Sequence, residues 1–573
     1  MSNSPFPFSS SGFSQFESGY NSLIENGKAI AGERMQEKSD MEDWRDTESF
    51  CIKYGFSSQN TVEELPVGPE AQSQRRIQHQ LSPSNLNIRV LPADQRMQDM
   101  TNIEVVRTGK FLSQARELTE LFLGGHSSQF KRFRPEEVRN MNYKPCAAIQ
   151  KLSTEKIMRI AGERFIEFSS QKFININMLV HPYGSALSHL TSEEKQDVEL
   201  AQLLLAAAEK VSCQHYDRAN KLLTQCELTA SNTGSPAQRA IFYFAEALRM
   251  KIDRETGRSS PKRNKEKGNH DACCSPLRYN VAFLALHQEI PFTQIMHFTA
   301  VQAILENIER KSKVHVIDLE MRSGLQWAVL MQALAEEGTS PTKHLKITAV
   351  ETADREGVEE TGKSLQSFAR SLNLQFSFKV VFLSDIEDLQ AEHFDILPEE
   401  AVAVYASMAL RTMISRPACL ETLMRAMRSL NPSVMVVAEV EANHNSPCFI
   451  NRFIDALFFY AAFFDCLEDN MKREDQYRMI IETLAFREGI HNILAAEGSE
   501  RTTRSVKIEV WRSFFAKFGM VEIQLSEWSL YQAHLILQQF NCGSSYLLEM
   551  NGNCLLVGWK GTPIHSLSAW KFH

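Results

Sequence analysis

The side chains with the clearest potential for chemistry lie at the end of an apolar run, VMVVAEV at 434–440, and just after it. They are two carboxylates and a polar turn: Glu439, Glu441, Asn443, His444 and Asn445. Sheets of parallel strands hold their ligands at the carboxyl ends of the strands, so Glu441, Asn443 and His444 could form a site. The alternative is a hydrogen-bonded turn that fixes the strand to the following helix. The turn is favoured, because neither a nucleophile nor a metal-ligand set accompanies these residues.

A second candidate is the loop DLEMRSG, from Asp318 to Gly324, which follows the apolar run VHVIDL. A loop that holds a nucleotide-like cofactor normally contains clustered glycines, because they let the backbone approach the ligand closely. This loop has one glycine, and Met321 and Arg322 stand where space is needed. Glu351, at the end of LKITAV, is placed where an acid could hold ribose hydroxyls. The sequence therefore favours a relic of a ligand pocket over a working S-adenosylmethionine site.

Other residues with chemical potential are weaker candidates. His315 and Asp318 are three residues apart on one predicted strand, so they point to opposite faces and do not form a catalytic pair. Asp318 is expected to cap the next helix or to accept loop amides. A zinc site needs four held ligands, and the densest set here is His270, Cys273 and Cys274. The eleven cysteines are otherwise scattered, which is typical of a reduced compartment. The sequence predicts no metal, no cofactor and no catalysis.

Composition excludes several classes of protein. The chain has 573 residues, a formal net charge of -8 and a pI near 6.1. Because this charge is negative, the molecule as a whole does not attract nucleic acid. Its most apolar stretch, Ala456 to Phe464, is too short to span a bilayer. The N-terminal stretch lacks the basic start and the continuous apolar run of a signal peptide. We expect a protein of the nucleus or the cytosol, without a membrane segment.

The second half of the chain alternates predicted strands and helices. Apolar strands are predicted at 314–319, 345–350, 376–382, 402–407, 434–440 and 521–526. Helices are predicted at 292–308, 325–337, 355–372, 417–430, 449–468, 475–497, 504–518 and 528–539. This alternation indicates a parallel sheet covered on both faces, and Asn551-Gly552 predicts a final antiparallel hairpin. The expected fold class is α/β, with a Rossmann-like doubly wound sheet that resembles class I methyltransferases.

A helical block at 190–250 precedes this sheet. Thr191 and Glu194 predict a capping box at its first helix, and the following DVELAQLLLAAAEKV carries a broad apolar face. This block is expected to form an α-helical cap subdomain and to supply a dimer surface. It also contains an LxxLL sequence, a form used for docking into partner grooves, at Leu200, Leu203 and Leu204. The alternative, which is favoured, is that these leucines face the domain's own core.

The N-terminal part and one internal insert differ from the rest in composition. Residues 1–100 are rich in Ser, Gln and Asn and lack a sustained apolar period, so they are predicted to be disordered. Residues 101–189 are expected to be partly ordered, with a helix near 151–170. The polar insert at 254–277 carries a candidate nuclear import signal, Lys262, Arg263, Lys265 and Lys267. The alternative is a solvated charged loop.

Five landmarks in the chain resemble, in order, those of the GRAS family of plant transcriptional regulators. The first leucine-rich region is similar to VELAQLLLAAAEKV, and the PFYRE region to a segment that includes VEANHNSPCFINRFIDALFF. The VHIID motif resembles Val314, His315, Val316, Ile317 and Asp318, with Gly324, Gln326 and Trp327 downstream. The SAW motif resembles Trp511, Arg512, Trp559, Ser568, Ala569 and Trp570.

The resemblance covers about 190–573 and implies a division into regions. These are the first leucine-rich region with the cap at 190–250, the basic insert at 254–277, the VHIID region at 280–342, the second leucine-rich region at 355–390, the PFYRE region at 395–495 and the SAW region at 496–573. The DELLA branch of the family also carries N-terminal DELLA and VHYNP sequences, and this sequence contains neither. The hormone-dependent destruction of that branch is therefore not implied.

Membership in this family would imply a nuclear protein that regulates plant development or signalling through protein partners and catalyses nothing. The expected partners are DNA-binding transcription factors, with DNA reached indirectly, and other GRAS proteins in homo- or heterodimers. The alternative function is an S-adenosylmethionine-type small-ligand-binding protein or a degenerate methyltransferase.

Overall fold

A nine-stranded sheet forms the centre of the part of the chain that the structure describes. The computed structural model describes residues 152–170, 190–258, 276–308, 311–335, 342–472, 475–540 and 542–573. The predicted disordered region 1–100 lies outside the described residues. So do the four basic residues of the candidate import signal and the potential metal ligands His270, Cys273 and Cys274.

Five parallel strands form one half of the sheet, in the order β3-β2-β1-β4-β5. They are β1 Lys313–Asp318, β2 His344–Glu351, β3 Gln375–Phe382, β4 Glu400–Ser407 and β5 Val434–Val440. Val314 of β1 aligns with Leu345 on one side and with Ala401 on the other. Every residue of β5 is buried, which matches its continuous apolar sequence, because helices cover a parallel sheet on both faces.

Four further strands complete the sheet: β6 Met520–Ile523, β7 Tyr546–Asn551, β8 Cys554–Trp559 and β9 Thr562–Phe572. β9 runs antiparallel between β5 and β8, and it also pairs with β6. The predicted hairpin joins β7 to β8, and Gly552 in its turn has φ of 60°. Strand β9, which connects this hairpin to the parallel strands, was not predicted from the sequence.

Fourteen α-helices are present among the described residues. They are α1 Thr154–Ser170, α2 Ser192–Ser212, α3 Tyr216–Thr229, α4 Pro236–Glu255, α5 Pro276–Glu289, α6 Phe292–Asn307, α7 Leu325–Ala335, α8 Arg355–Ser371, α9 Pro417–Leu430, α10 Phe449–Asn470, α11 Gln476–Ile481, α12 Arg487–Leu494, α13 Ile508–Lys517 and α14 Glu527–Gln538. Apolar residues of α6, α7, α8 and α14 pack in one core, and those of α9 and α13 pack in a second. Alternate residues of the parallel strands point into each core, so the doubly wound α/β class is confirmed.

The start of the helical cap follows its sequence signals. Thr191 Oγ1 accepts the amide of Glu194, and the Glu194 carboxylate accepts the amide of Thr191, so the predicted capping box is confirmed. Ser235 caps α4 by accepting the amide of Gln238 at 3.2 Å. Asp197, on α2, accepts the Ser235 hydroxyl at 2.7 Å and thereby ties α2 to α4.

The cap is held to the α/β core by buried charged groups. Arg239 of α4 is fully buried, and it donates to Glu482 at 3.1 Å and to Glu468 at 2.8 Å. Glu482 begins a π-helical segment, Glu482–Phe486, which interrupts the single helix predicted at 475–497. A π-turn changes the direction in which side chains project, and here Glu482 lies between Arg239 and Arg478. A pattern of apolar residues does not reveal such a break.

Among the described residues, no helix combines the length and the apolar character needed to cross a lipid bilayer.

Candidate functional site

Asp318 ends β1 and is fully buried. Its Oδ2 accepts hydrogen bonds from Trp327 Nε1 at 2.7 Å and Gln326 Nε2 at 3.2 Å, and its Oδ1 accepts the Glu320 amide at 3.1 Å. Burial raises the pKa of Asp318 to about 6, although the bond from Trp327 opposes that rise. Both carboxylate oxygens are therefore used to join the loop after β1 to helix α7.

His315 lies on the same strand but has different neighbours. Its Nε2 is 2.8 Å from Thr348 Oγ1, and its Nδ1 is 3.3 Å from Glu400 Oε2. Burial, followed by the nearby Lys346 charge, lowers the pKa of His315 to about 3, so the ring is neutral at physiological pH. His315 and Asp318 thus bond to different groups, as their odd spacing along a strand requires.

The rest of the VHIID-like motif is part of the core. Val314, Val316 and Ile317 are each fully buried. Trp327 is fully buried as well, and its ring lies edge-on to Tyr405 with ring centres 5.4 Å apart. The motif therefore packs the first strand against α7, with Asp318 as the polar link.

The loop that could hold a cofactor is closed by contacts within the chain. Gly324 has φ of 67°, and a Cβ there would lie 2.9 Å from Thr361 Cγ2 on α8. The glycine is thus needed for the backbone conformation and for the approach of α8. Glu351 Oε1 accepts three amides of its own loop, at 2.7, 2.7 and 3.2 Å, from Thr352, Ala353 and Asp354. The acid that could hold ribose hydroxyls is already bonded.

The two carboxylates at the end of β5 fix neighbouring loops. Glu439 Oε1 accepts the amides of Leu410 at 2.8 Å and Arg411 at 3.3 Å. Glu441 accepts the amide of Ile508, with its Oε2 at 3.1 Å, and so holds the start of α13. Burial raises the pKa of each carboxyl to about 7. Raised pKa values of this kind are common at active sites. Here both carboxylates also accept backbone amides, so they have a structural role in holding the loops.

The turn 443–445 is buried against α10. The Asn443 amide donates to Asp455 Oδ2 at 2.6 Å. His444 lies edge-on to Phe459 at 5.0 Å and stacks with Tyr460 at 6.5 Å, both on α10. Burial, followed by the charge of Arg411, lowers the pKa of His444 to about 3. These contacts fix the strand to α10, which is the structural role that the sequence analysis favoured for this turn.

A group of buried arginines next to this turn was not singled out from the sequence. Arg452, Arg501 and Arg504 are at most 4% exposed. Arg504 Nη1 donates to Asn445 Oδ1 at 3.2 Å, and Arg452 Nη1 donates to the Ser446 carbonyl at 2.8 Å. Arginines in a loop between helices are usually solvated, so the spacing of Arg501 and Arg504 gave no signal of burial.

The SAW-like residues belong to the core around β9. Trp511, Trp559, Ser568, Ala569 and Trp570 are each at most 2% exposed. Trp570 Nε1 donates to Ser568 Oγ at 2.8 Å, and Trp559 Nε1 donates to Asp465 Oδ2 at 2.8 Å. Phe515 lies between Trp511 and Trp570, with ring centres 5.8 and 4.6 Å away. Arg512 joins this core to β6 through Glu522 and to the hairpin through Asn551.

The LxxLL sequence on α2 lies mainly inside the cap. Leu200 and Leu204 are 2% and 0% exposed, and Leu203 is half-buried against the same core. Leu200 and Leu204 are thus occupied by contacts within the chain. The most exposed large apolar side chain among the described residues is Leu228, at 82%, on the neighbouring helix α3.

One group of three potential metal ligands occurs among the described residues: Asp385, Glu387 and Cys419. Arg416 donates to Asp385 at 2.5 Å. Burial raises the pKa of the Cys419 thiol to about 12, so the sulfur is protonated and donates toward both carboxylates. A thiolate is the form that binds metals, so this group is better explained by its own hydrogen bonds.

These observations define the class of protein: an α/β domain with a Rossmann-like doubly wound sheet and a helical cap. The acidic side chains that could bind a cofactor in it accept hydrogen bonds from their own chain. The chain belongs to the GRAS domain family, whose family model matches residues 200–571. The resemblance stated from the motifs is thereby confirmed.

Two curated relatives and one solved structure illustrate the match. DELLA protein RGA of Arabidopsis thaliana is 32% identical over 386 residues, which cover 67% of this chain and 63% of that protein. DELLA protein RGL3 of the same plant is 32% identical over 380 residues, covering 66% and 70%. The crystal structure of SCL7 from Oryza sativa aligns with a TM-score of 0.58 and 27% identity, over 65% of this chain and 99% of that one. The chain thus spans less than two thirds of the length of RGA.

Proposed function

We propose that this protein is a plant transcriptional coregulator that acts through contacts with DNA-binding transcription factors and catalyses no reaction. The observation that carries the proposal concerns the loops at the carboxyl ends of the strands, whose acidic side chains are hydrogen-bonded within the chain. Asp318 and Glu351, the acids best placed to hold a cofactor, bond to groups of their own chain. Membership in the GRAS domain family supports the regulatory part of the proposal.

A tethering assay tests the regulatory role. The full chain is fused to a heterologous DNA-binding domain and expressed in plant cells with a reporter that carries the matching site. We expect reporter output to change, in either direction, relative to the DNA-binding domain alone. Unchanged output from a fusion that accumulates normally would contradict the proposal. The Trp570→Ala fusion is the control, because loss of a buried tryptophan destabilises the folded domain and should weaken the change in output.

A degenerate methyltransferase is the second candidate function, favoured by the parallel strand order β3-β2-β1-β4-β5 with an antiparallel strand beside β5. Calorimetric titration of the purified chain with S-adenosylmethionine, with a nucleotide as control, separates the two candidates. We expect no saturable heat at high micromolar ligand, because both oxygens of Asp318 and Oε1 of Glu351 already accept hydrogen bonds within the chain. Tight binding would show that the loop from Asp318 to Gly324 opens, and would overturn the non-enzymatic proposal.

We further propose that the chain acts in the nucleus and that the insert 254–277 directs its import. The support is the cluster of four basic residues in a polar insert. A fluorescent fusion in which Lys262, Arg263, Lys265 and Lys267 are all changed to Ala should lose most of its nuclear accumulation. Changing four surface lysines or arginines elsewhere is the control. A variant that stays nuclear would place the signal in another segment.

A further inference from the structure

Several buried donors beside the turn 443–445 have no hydrogen-bond partner. Arg501 is 4% exposed, and neither its Nε nor its Nη1 has a partner; Arg504 is 4% exposed, and its Nε has none. Nε2 of His444 is also unpartnered, because Asp455 Oδ2 lies 3.7 Å away, beyond hydrogen-bond reach. Buried donors in folded proteins are nearly always bonded. These nitrogen atoms therefore point to an acceptor from outside the chain.

Charge in the same region is unbalanced. Arg452, Arg501 and Arg504 interact electrostatically with one another, and the carboxylate whose charge acts on all three is Glu497. Glu497 is shared with Lys251, whose Nζ is 2.9 Å away. Burial, together with the charges of Arg452 and Arg504, lowers the pKa of Arg501 to about 9. Three guanidinium groups against one carboxylate leave an excess of about two positive charges, which is costly inside a protein.

The loop that carries Arg501 and Arg504 is held by hydrogen bonds to helix α12. Asn492 of α12 accepts the Thr502 amide at 2.9 Å and donates to the Thr503 carbonyl at 2.6 Å. Arg504 is fixed by two hydrogen bonds. Its side chain donates from Nη2 to the Gly498 carbonyl at 2.7 Å, and its backbone amide donates to the Arg411 carbonyl at 2.9 Å. The loop backbone and Arg504 are thus preorganised, which reduces the entropic cost of binding a ligand.

We propose that Arg501, Arg504 and His444 bind a small phosphate-type dianion at the carboxyl end of β5. A phosphate group matches the excess charge, and its oxygen atoms match the fork of N–H donors on a guanidinium group. Glu500 and Thr502, which flank Arg501, are exposed, so the loop that carries the donors lies at the surface. This site uses other residues than the Asp318 and Glu351 loops, and it does not depend on the proposed regulatory function.

Thermal unfolding of the purified full chain tests the proposal. Inorganic phosphate and phenyl phosphate are each added at pH 7.5, and chloride at matched ionic strength is the reference. We expect inorganic phosphate to raise Tm by at least about 2 °C, because a ligand that binds the folded state stabilises it. Stabilisation by phenyl phosphate as well would identify an organic phosphomonoester as an accepted ligand. No rise with either compound relative to chloride would overturn the proposal.

Two variants show where the anion binds. Arg501→Gln removes one buried charge, so it should abolish the response to phosphate while Tm in chloride stays equal to or above that of the unchanged protein. The matched control is Arg254→Gln, which lies nearby but pairs with Glu500 at the surface and should keep the full response. Arg501→Lys keeps the charge and loses the fork, so its response should be smaller. An undiminished response in a folded Arg501→Gln protein would overturn this assignment.

Discussion

Glu441 is a carboxyl group that folding makes harder to ionise. It is 7% exposed, it accepts the Ile508 amide, and burial raises its pKa to about 7 from the usual 4.5. Because the folded-state pKa lies above the unfolded one, the stability that protonated Glu441 contributes is fully present below about pH 4.5. That contribution is lost as the pH rises through about 7. The group thus makes folding less favourable at alkaline pH.

Replacing Glu441 with Gln should remove this dependence. At pH 8 the variant is expected to be more stable than the unchanged protein by about 1–3 kcal/mol, with little difference at pH 5. Urea unfolding at the two pH values measures this. The control is Glu509→Gln, since the Glu509 side chain is 57% exposed and its neutralisation should have little effect. A Glu441→Gln protein that is destabilised at pH 8 would show that the charge is needed for the bond to α13.

Trp570 illustrates a motif residue whose first role is packing. It is 2% exposed between β5 and β6, and its ring contacts Phe515. Trp570→Ala should lower the free energy of unfolding by about 3–5 kcal/mol through the cavity it leaves, and Trp570→Phe should cost less. Chemical denaturation of both variants checks this. If the Trp570→Ala protein kept normal stability but failed to bind one partner, Trp570 would instead contact that partner directly.

At the scale of elements, Gly324 sets the distance between the loop after β1 and helix α8. Gly324→Ala should destabilise the chain by about 2–3 kcal/mol, because the substitution adds a clash with Thr361 to the cost of a positive φ. Gly519 is a matched control: its φ is 74°, and a Cβ there meets nothing within 4 Å. Gly519→Ala should therefore cost only about 1 kcal/mol. Equal losses in thermal unfolding would show that α8 moves aside.

The elements that could be predicted from the sequence are those with local signals. Strand β5, VMVVAEV, is apolar throughout and was predicted with its observed bounds. Strand β9, TPIHSLSAWKF, alternates apolar and small polar residues and contains a proline, so it gave no clear strand signal. Its buried Ser566 is acceptable because a distant part of the fold supplies its partner, the carboxylate of Glu441.

The candidate site could be predicted only in part, for a similar reason. Asp318 and the turn 443–445 stand at the ends of predicted strands, so their positions follow from the pattern. The burial of Arg504 comes with contacts to Asn445 and Gly498 that form only in the folded chain. Arg239 is a further example, since its partner Glu482 is 243 residues away in sequence.

For the whole molecule, we expect a dimer formed through the helical cap. Leu200 and Leu204 are buried, so the contact must use outward-facing residues such as Leu228 on α3. Light scattering of the purified full chain at micromolar concentration should give twice the monomer mass, and Leu228→Asp should restore the monomer. Leu397→Asp, an exposed leucine next to β4, is the control and should remain dimeric. A monomeric unchanged protein at that concentration would contradict the expectation.

The position of β9 has a consequence for synthesis of the chain on the ribosome. Every other strand precedes β9 in sequence, yet β9 lies between β5 and β8 and bonds to both. Until β9 has been translated, the parallel strands and the β7–β8 hairpin each present an open edge, and open edges pair readily with other chains. A nonsense codon shortly before Thr562 should therefore yield an aggregating or degraded product, rather than a shortened protein that competes for partners.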